Sequence, residues 1–227
     1  EIRLSLVGSE MCIRDRNKVD RISINPQTVN DEVLKTIGRK HTAQQFFDAF
    51  ELARKCGFDN INTDLIAGLP TDTPESFKNS LDSIVRLNAE CITVHTLCMK
   101  RASRLTTEGV TLDLQQARDA REMLAYTQNI LGQNEYIPYY MYRQSRMVGN
   151  LENVGWSKKG FESLYNVYVM DETHTILACG SGGVTKLKRN NPDYLERIFN
   201  FKYPYEYIDR FDELIQRKSG IMQFYGQ

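Results

Sequence analysis

Two stretches decide the fold of this chain: Val19-Asp20-Arg21-Ile22-Ser23-Ile24-Asn25-Pro26-Gln27 and Asn62-Thr63-Asp64-Leu65-Ile66-Ala67-Gly68-Leu69-Pro70. Each is a short run rich in β-branched residues that ends in a polar side chain or a glycine–proline turn. A stretch of helical length separates them, as it separates successive strands of a parallel α/β barrel. Gln27 and Asp64 are polar residues within apolar strand sequence, which indicates that they contact a ligand.

The sequence around these strands alternates between helix and strand signals. Three helices are predicted, with the N-caps Asn30, Thr42 and Thr73. Gln45, three residues after Thr42, predicts a capping box at the second of them. Gly38 and Gly57 end the first two helices. The second strand is predicted over Ile61–Ala67 and a third over Cys91–Leu97. Strand, helix, strand, helix and strand in this order predict a parallel sheet with right-handed crossovers.

Beyond Arg104 the pattern changes. A long helix is predicted from Asp113 to Gly132, and it is followed by the predicted strands Tyr136–Arg143, Tyr165–Met170 and Thr175–Cys179. The last two strands are expected to form an antiparallel hairpin, and the tail from Pro192 to Lys218 is expected to be helical. We therefore predict part of a barrel over residues 17–105 and an α+β domain over residues 106–227.

The composition is that of a globular protein and argues against several classes of partner. The 29 basic residues balance the 29 acidic ones, so neither nucleic acid nor an anionic membrane surface is expected as a partner. No apolar run reaches the roughly 20 residues that span a bilayer. The five cysteines include no C-x-x-C pair, which favours a reduced, cytoplasmic setting.

The N-terminal segment differs from the rest of the chain. Glu1–Arg16 follows neither the helical nor the strand period and resembles the translated product of a sequencing adapter. An irregular natural N-terminus is the alternative, and the segment lacks the order of regions found in a signal peptide. We expect residues 1–16 to be a non-native leader and the natural protein to begin upstream of this sequence.

Three side chains are candidates for ligand contacts. The Gln27 amide offers one acceptor and two donors, which suits a hydroxyl group or a purine edge, although a loop-capping role explains it equally well. The Asp64 carboxylate needs donors, which sugar hydroxyls, an ammonium group or a neighbouring Arg or Lys would supply. Arg39 could clamp a carboxylate with two hydrogen bonds, although a solvated loop arginine is the more common outcome.

The remaining candidates carry weaker signals. His41, His95 and His174 are too scattered to form a metal site by spacing, and a core or supporting role is expected for His95 ahead of a catalytic one. Gly180-Ser181-Gly182-Gly183 could bring backbone amides close to a ligand, and a hairpin exit explains this turn equally well. Nucleophilic catalysis by its serine is not predicted, because the serine lacks a G-x-S-x-G context.

Several strings of residues occur in a characteristic order along the chain. They are Arg21-Ile22-Ser23-Ile24-Asn25-Pro26-Gln27-Thr28, Gly38-Arg39, Gly57-Phe58, Asp64-Leu65-Ile66-Ala67-Gly68-Leu69-Pro70 and Thr73-Pro74-Glu75-Ser76-Phe77. This order resembles the oxygen-independent coproporphyrinogen III oxidase family of radical SAM proteins. The strings Tyr142-Arg143-Gln144, Gly149–Trp156 and Gly180–Thr185 resemble its coproporphyrinogen dehydrogenase HemZ branch.

The resemblance runs from about Lys18 to the C-terminus and implies both a fold and a set of cofactor contacts. The implied fold is the C-terminal half of an incomplete (β/α)6 radical SAM barrel, followed by an α+β domain. Gln27 and Asp64 would hold the ribose hydroxyls of S-adenosylmethionine, and Arg39 would hold its methionine carboxylate. The further implied contacts are Cys98 to the adenine through backbone atoms, and Gly180 and Gly182 as a glycine pair that faces the cofactor.

The family's cluster motif C-x3-C-x2-C does not occur in this sequence. A [4Fe-4S] cluster needs those three thiolates, and the spacing of Cys56, Cys91, Cys98 and Cys179 does not supply them. We therefore expect the cluster ligands to lie upstream and the fragment by itself to be inactive.

The resemblance also implies a reaction. In the family, an electron donor reduces the cluster, S-adenosylmethionine is cleaved, and a propionate of coproporphyrinogen III loses carbon dioxide to become a vinyl group in haem biosynthesis. One alternative is a haem-binding chaperone of the same family. That branch typically carries an H-N-x-x-Y-W string, and the corresponding stretch Gly149–Trp156 lacks its histidine. A second alternative is an unrelated βα barrel that binds another nucleotide.

Overall fold

The computed structural model describes residues 19–98, 114–143, 148–190 and 193–226. The chain divides into two compact units, Glu1–Glu162 and Ser163–Gln227. The boundary predicted at residue 105 and the leader predicted for residues 1–16 both lie outside the described residues.

The first unit is built on one five-stranded sheet. Its helices are α1 (Asp31–Thr36), α2 (Ala43–Lys55), α3 (Pro74–Arg86) and α4 (Leu114–Gln133). Its strands are β1 (Ile22–Ser23), β2 (Ile61–Ala67), β3 (Cys91–Thr96), β4 (Ile137–Tyr142) and β5 (Asn153–Ser157), and Val148–Asn150 forms a 3-10 turn.

The order of strands in this sheet is β1-β2-β3-β5-β4. The first three strands are parallel, which confirms the predicted βαβαβ arrangement. The strands β4 and β5 form an antiparallel hairpin, and β5 pairs antiparallel with β3. The hairpin therefore extends the parallel sheet.

Side-chain caps set where the first three helices begin. Asn30 accepts hydrogen bonds from two backbone amides in the first turn of α1. Thr42 and Gln45 form the predicted capping box at the start of α2. Thr73 caps α3, which has Pro74 in its first turn. The three predicted helix starts are confirmed, because caps of this kind depend on residues only two or three positions away.

The two faces of the sheet differ in chemistry. One face packs against the helices in the main core, through the strand residues Ile61, Leu65, Ile92, Val94 and Trp156 and the helix residues Phe46, Phe77, Leu81, Ile84 and Met123. Successive strand residues point to opposite faces, so the alternate positions lie on the other face. The central positions are Asn62, Asp64, Thr93 and His95, with Ile66 and Cys91 at the ends of the row. The helices therefore cover an apolar face and leave a polar one.

The second unit contains one hairpin and four helices among its described residues. The hairpin is formed by β6 (Val184–Asn190) and β7 (Asp193–Phe199), and the helices are α5 (Leu164–Asp171), α6 (Pro204–Asp209), α7 (Phe211–Lys218) and α8 (Gly220–Tyr225). A small core of Leu187, Ile198 and Phe224 holds the hairpin against α8. Across the described ranges of the chain, none of the helices has both the length and the apolar composition needed to cross a membrane.

The secondary structure predicted for this unit is wrong in two places. Tyr165–Met170, predicted as a strand, lies in α5, and Thr175–Cys179 contains only an isolated bridge between Ile176 and Lys186. The tail, predicted to be helical throughout, includes β7 and becomes helical from Pro204. Strand propensity reflects the fit of a side chain to a paired surface. In the described part of this unit, β6 pairs with β7 along its length, and α5 has no strand partner.

Candidate functional site

Gln27 lies just beyond β1, where it continues the parallel ladder. Its backbone N–H donates to the Asp64 carbonyl at 3.0 Å, and its own carbonyl accepts from the Ile66 N–H at 2.9 Å. Its φ of +70° is in the left-handed region, which costs a residue other than glycine about 1 kcal/mol or more. The residue is only 9% exposed, and within the described ranges its side-chain amide makes no hydrogen bond. A strained backbone, together with an amide that has no partner among the described residues, indicates a position shaped for a ligand.

Asp64 lies on β2, and each of its two carboxylate oxygens has one side chain beside it, an amide or an imidazole. Oδ1 accepts from Nδ2 of Asn62 at 2.8 Å, and Oδ2 lies 3.5 Å from Nε2 of His95. Within the described ranges no Arg or Lys pairs with this carboxylate, so the alternative explanation of a structural ion pair with a basic residue has no support there. Each oxygen of a carboxylate can accept more than one hydrogen bond, so Asp64 retains acceptor capacity.

His95, which had been expected to have a supporting role, links Asp64 to the β4–β5 hairpin. Its Nδ1 lies 3.2 Å from the Tyr142 hydroxyl group, and the edge of one ring faces the other at a centroid distance of 6.2 Å. The ring of Tyr140 is nearly parallel to that of Tyr142, at an interplanar angle of 5° and a centroid distance of 6.3 Å. Burial raises the pKa of Tyr140 to about 12 and also raises the pKa of Tyr142. Both phenols are therefore neutral donors at physiological pH.

Gly155 explains how Tyr140 reaches the centre of the sheet. Gly155 lies on β5, between Tyr140 on β4 and Thr93 on β3 in the strand register. A Cβ atom at Gly155 would lie 1.8 Å from Cε1 of Tyr140. Because the glycine has no side chain, the tyrosine ring crosses β5, and its hydroxyl group lies 3.4 Å from Oγ1 of Thr93.

We refer to Asn62, Asp64, Thr93, His95, Tyr140 and Tyr142 together as the polar face. The sequence indicated Asp64 as a ligand contact. The two-residue period of the strands could also have placed Asn62, Thr93 and His95 on the same face of the sheet. Sequence reasoning missed the two tyrosines as site residues, because their place depends on how the β4–β5 hairpin docks against β3. That docking joins residues about fifty positions apart, and no local pattern predicts it.

Arg39 is exposed and follows α1, where its backbone N–H donates to the Leu34 carbonyl at 2.9 Å. Nearby, Nε2 of His41 lies 3.2 Å from the Pro26 carbonyl, which ties this loop to the residue before Gln27. The first unit therefore brings Gln27, Asp64 and the loop that carries Arg39 to one region of the sheet. An amide, a carboxylate and a guanidinium suit a ligand with hydroxyl groups and a carboxylate, so these residues fit the adenosyl and methionine parts of S-adenosylmethionine.

Cys98 lies two residues after the end of β3 and is partly buried. None of the four described cysteines forms a disulfide. Within the described ranges, no group of three or more His, Cys, Asp or Glu side chains is arranged to hold a metal ion. The described cysteines therefore do not fit an iron–sulfur cluster, which needs three convergent thiolates.

Gly180 and Gly182 lie in the second unit and both have positive φ, of +87° and +71°. The N–H of Gly180 donates to the Tyr207 hydroxyl at 3.2 Å, and the N–H of Gly182 donates to the Phe201 carbonyl at 2.7 Å. Both amides are thus used within this unit. Open space around the Cα of Gly180 leaves room for close approach by another group.

The sequence of this chain is similar to those of known radical SAM proteins. Residues 13–84 match the family model of the Radical SAM superfamily. The chain is 36% identical over 219 residues to the oxygen-independent coproporphyrinogen-III oxidase-like protein HemZ of Bacillus subtilis (strain 168), a match that covers 96% of this chain and 44% of HemZ. The chain belongs to the radical SAM superfamily, in the family of oxygen-independent coproporphyrinogen III oxidase-like proteins.

The further relatives in this family include a protein named as a heme chaperone and one named as an oxidase. The heme chaperone HemW of Lactococcus lactis subsp. lactis (strain IL1403) is 33% identical over 182 residues, covering 76% of this chain and 44% of HemW. The coproporphyrinogen III oxidase HemN of Escherichia coli, described as a radical SAM enzyme, superimposes with a TM-score of 0.65 at 20% identity, covering 94% of this chain and 47% of HemN. This likeness confirms the predicted α/β radical SAM fold. The chain spans about half the length of these radical SAM relatives.

Proposed function

We propose that this chain is part of a radical SAM oxidoreductase that converts propionates of coproporphyrinogen III to vinyl groups by oxidative decarboxylation. The observation that carries the proposal is the backbone pairing of Gln27, which lies beyond the end of β1, with Asp64 in the middle of β2. It occurs in a chain related to HemZ over 96% of its length. In parallel α/β sheets, ligands bind outside the carboxyl ends of the strands, and Gln27 lies beyond that end of β1.

In this proposal each candidate residue contacts one part of S-adenosylmethionine. Gln27 and Asp64 hold the ribose hydroxyls, and Arg39 clamps the methionine carboxylate with a charge-assisted hydrogen bond. The remaining proposed contacts are the backbone at Cys98 with the adenine, and Gly180 and Gly182 as a glycine pair that faces the cofactor. S-adenosylmethionine and a [4Fe-4S] cluster, when bound, supply the one-electron chemistry. The residues of this chain orient the adenosyl group toward the substrate, which lowers the entropic cost of reaction.

The proposed partners follow from the same reaction. They are a tetrapyrrole substrate and an electron donor for the cluster. The proposed location of the protein is the cytoplasm. The balanced charge of the chain supports the expectation that neither nucleic acid nor a membrane surface is a partner.

A second candidate is a haem chaperone, which the 33% identity to HemW over 76% of this chain favours. Titration of the 227-residue chain with haemin and with coproporphyrin III, followed by visible absorbance, separates the two candidates. An oxidase is expected to bind coproporphyrin III more tightly, because its site must recognise propionates on every ring. Tighter binding of haemin by tenfold or more would favour the chaperone instead.

The cofactor site itself is tested by calorimetric binding of S-adenosylhomocysteine, which has the same ribose and amino-acid groups. The Asp64→Ala substitution should weaken binding at least tenfold, because it removes a charged acceptor for the ribose hydroxyls. Asp48, an exposed aspartate on α2, provides the matched control, and Asp48→Ala should leave the affinity unchanged. Equal affinities for the Asp64→Ala protein and the wild type would refute the assigned role of Asp64.

A further inference from the structure

We propose that His95 is a positioning residue that holds the Asp64 carboxylate in the orientation needed to accept hydrogen bonds from the cofactor ribose. This inference rests on the proposed function and extends it to a residue beyond the cofactor contacts proposed above. The juxtaposition that carries it is a chain of three side chains on three strands: Asp64 on β2, His95 on β3 and Tyr142 on β4.

The strand register brings the first two of these side chains together. Asp64 is aligned with Thr93, so His95 is the diagonal neighbour of Asp64 on the same face of the parallel pair. Diagonal neighbours lie within reach of a long side chain. The observed distance between Nε2 of His95 and Oδ2 of Asp64 is 3.5 Å. His95 therefore contacts the carboxylate oxygen that Asn62 does not occupy.

His95 is itself held on its opposite side. The Tyr142 hydroxyl lies 3.2 Å from Nδ1 and can donate to it, since burial keeps this phenol protonated. When Tyr142 donates to Nδ1, the imidazole proton is on Nε2 and points toward Asp64. Tyr142 thereby sets both the tautomer and the orientation of the ring that contacts the carboxylate.

Stability alone does not explain this arrangement. The side chains of His95 and Asp64 are 25% and 20% exposed, and charge pairs that reach solvent contribute little to folding. Residues such as Val or Ile would pack a strand at least as well. A carboxylate that is held from both sides but still partly open is suited to orienting a ligand, because less freedom is lost when the ligand binds.

The first test measures the orientation of Asp64 without any ligand. Three-bond scalar couplings across χ1 of Asp64, measured by NMR on the 227-residue chain, should show one rotamer in the wild type. His95→Ala should produce averaging among rotamers, and His95→Gln should restore one rotamer, because its amide can donate to Asp64 and accept from Tyr142. Asp48 serves as an internal control and should be averaged in every variant. A single Asp64 rotamer in the His95→Ala protein would overturn the proposal.

The second test measures affinity for S-adenosylhomocysteine by calorimetry. His95→Ala should weaken binding about tenfold, His95→Gln should stay within about threefold of the wild type, and Tyr142→Phe should weaken binding by a smaller factor than His95→Ala. His174→Ala, which changes an exposed histidine in the second unit, should have no effect. In an Asp64→Asn background, His95→Ala should cost less than a further twofold, because the two residues act as one unit.

The outcomes separate this inference from the proposed function. If the wild-type chain does not bind S-adenosylhomocysteine, the proposed ribose site fails, while the rotamer measurement still decides whether His95 positions Asp64. If the wild type binds and His95→Ala binds equally well, the positioning role is refuted and the ribose site stands. Additive losses in the double variant would likewise refute it. Tyr142→Phe gives a second way to disturb the chain of contacts if His95→Ala does not fold.

Discussion

The amino end of the first-unit sheet and its polar face use charged residues in opposite ways. At the amino end, Glu90 precedes β3, and its side chain is 9% exposed. One carboxylate oxygen pairs with the Arg54 guanidinium at 2.8 Å, and the other accepts from the Ile61 N–H at 2.9 Å. Arg54 also donates to two backbone carbonyls, those of Phe58 and Asn88. These charges are satisfied by the fold itself.

On the polar face the partners are weaker and the groups are more open. Asp64 has an amide and an imidazole as partners. Gln27 is outside the polar face and buried, but its backbone pairs with that of Asp64 and its side-chain amide has no hydrogen bond to any described residue. A buried charge that is fully paired stabilises the fold only while both partners remain. A polar group with spare capacity contributes less to the fold and can contact a ligand. We therefore propose a structural role for the charges at the amino end and ligand binding for the polar face.

The largest effect on stability is expected from Glu90→Ala at the amino end. The substitution leaves Arg54 and the Ile61 amide without their carboxylate, so the free energy of unfolding in urea should fall by roughly 2–3 kcal/mol. Glu51→Ala, which removes an exposed pair with Lys55, is the control and should cost less than about 0.5 kcal/mol. Equal losses for the two variants would break the structural assignment of the amino end.

The next effect is expected from Gly155→Ala, at the edge of the polar face. The added methyl group would meet the ring of Tyr140, so the substitution should destabilise the protein by about 1–3 kcal/mol. In a Tyr140→Ala background, Gly155→Ala should cost much less, because the ring that the methyl group meets is gone. Gly132→Ala on α4, where an added Cβ meets nothing within 4 Å, should instead raise the free energy of unfolding by up to about 1 kcal/mol. A neutral Gly155→Ala substitution would mean that the ring does not cross β5.

A smaller effect on stability is expected from Asp64→Asn. The amide keeps the shape of the side chain and one acceptor, so the free energy of unfolding should change by less than about 1 kcal/mol. Binding of S-adenosylhomocysteine should nevertheless weaken, as for Asp64→Ala. A loss of stability comparable to that of Glu90→Ala would place Asp64 among the structural charges and remove the contrast between the two regions.

The smallest effect at neutral pH is expected from Tyr140→Phe, which should matter only in alkali. The pKa of Tyr140 is raised from 10.0 to about 12 by burial, so the unfolded chain loses this proton first as the pH rises. The resulting contribution to stability is complete below pH 10 and declines as the pH rises through about 12. Urea unfolding at pH 9 and pH 11 should show a smaller alkaline loss for Tyr140→Phe than for the wild type. Tyr205→Phe, at an exposed ring, should show the full loss.

Features that neighbouring residues determine were predicted correctly from the sequence, and several features that depend on residues far apart in the chain were not. The bounds of β2, Ile61–Ala67, and the capping box of Thr42 with Gln45 were predicted correctly, because neighbouring residues determine both. The strand predicted over Tyr165–Met170 was wrong, because strand formation needs a partner and this segment forms a helix. Among site residues, Gln27 and Asp64 were identified from their place in apolar strands, and their cofactor roles stay predictions.

The sequence by itself determined the βαβαβ order, the helix starts and the presence of polar side chains at Gln27 and Asp64. These features follow from periodicity and capping, which act over a few residues. Only the tertiary structure decided that the β4–β5 hairpin joins the parallel sheet and brings Tyr142 to His95 and His95 to Asp64. The reason is physical: these contacts depend on the pairing and register of strands that are far apart in the chain, and the free energy that selects a register comes from the whole sheet.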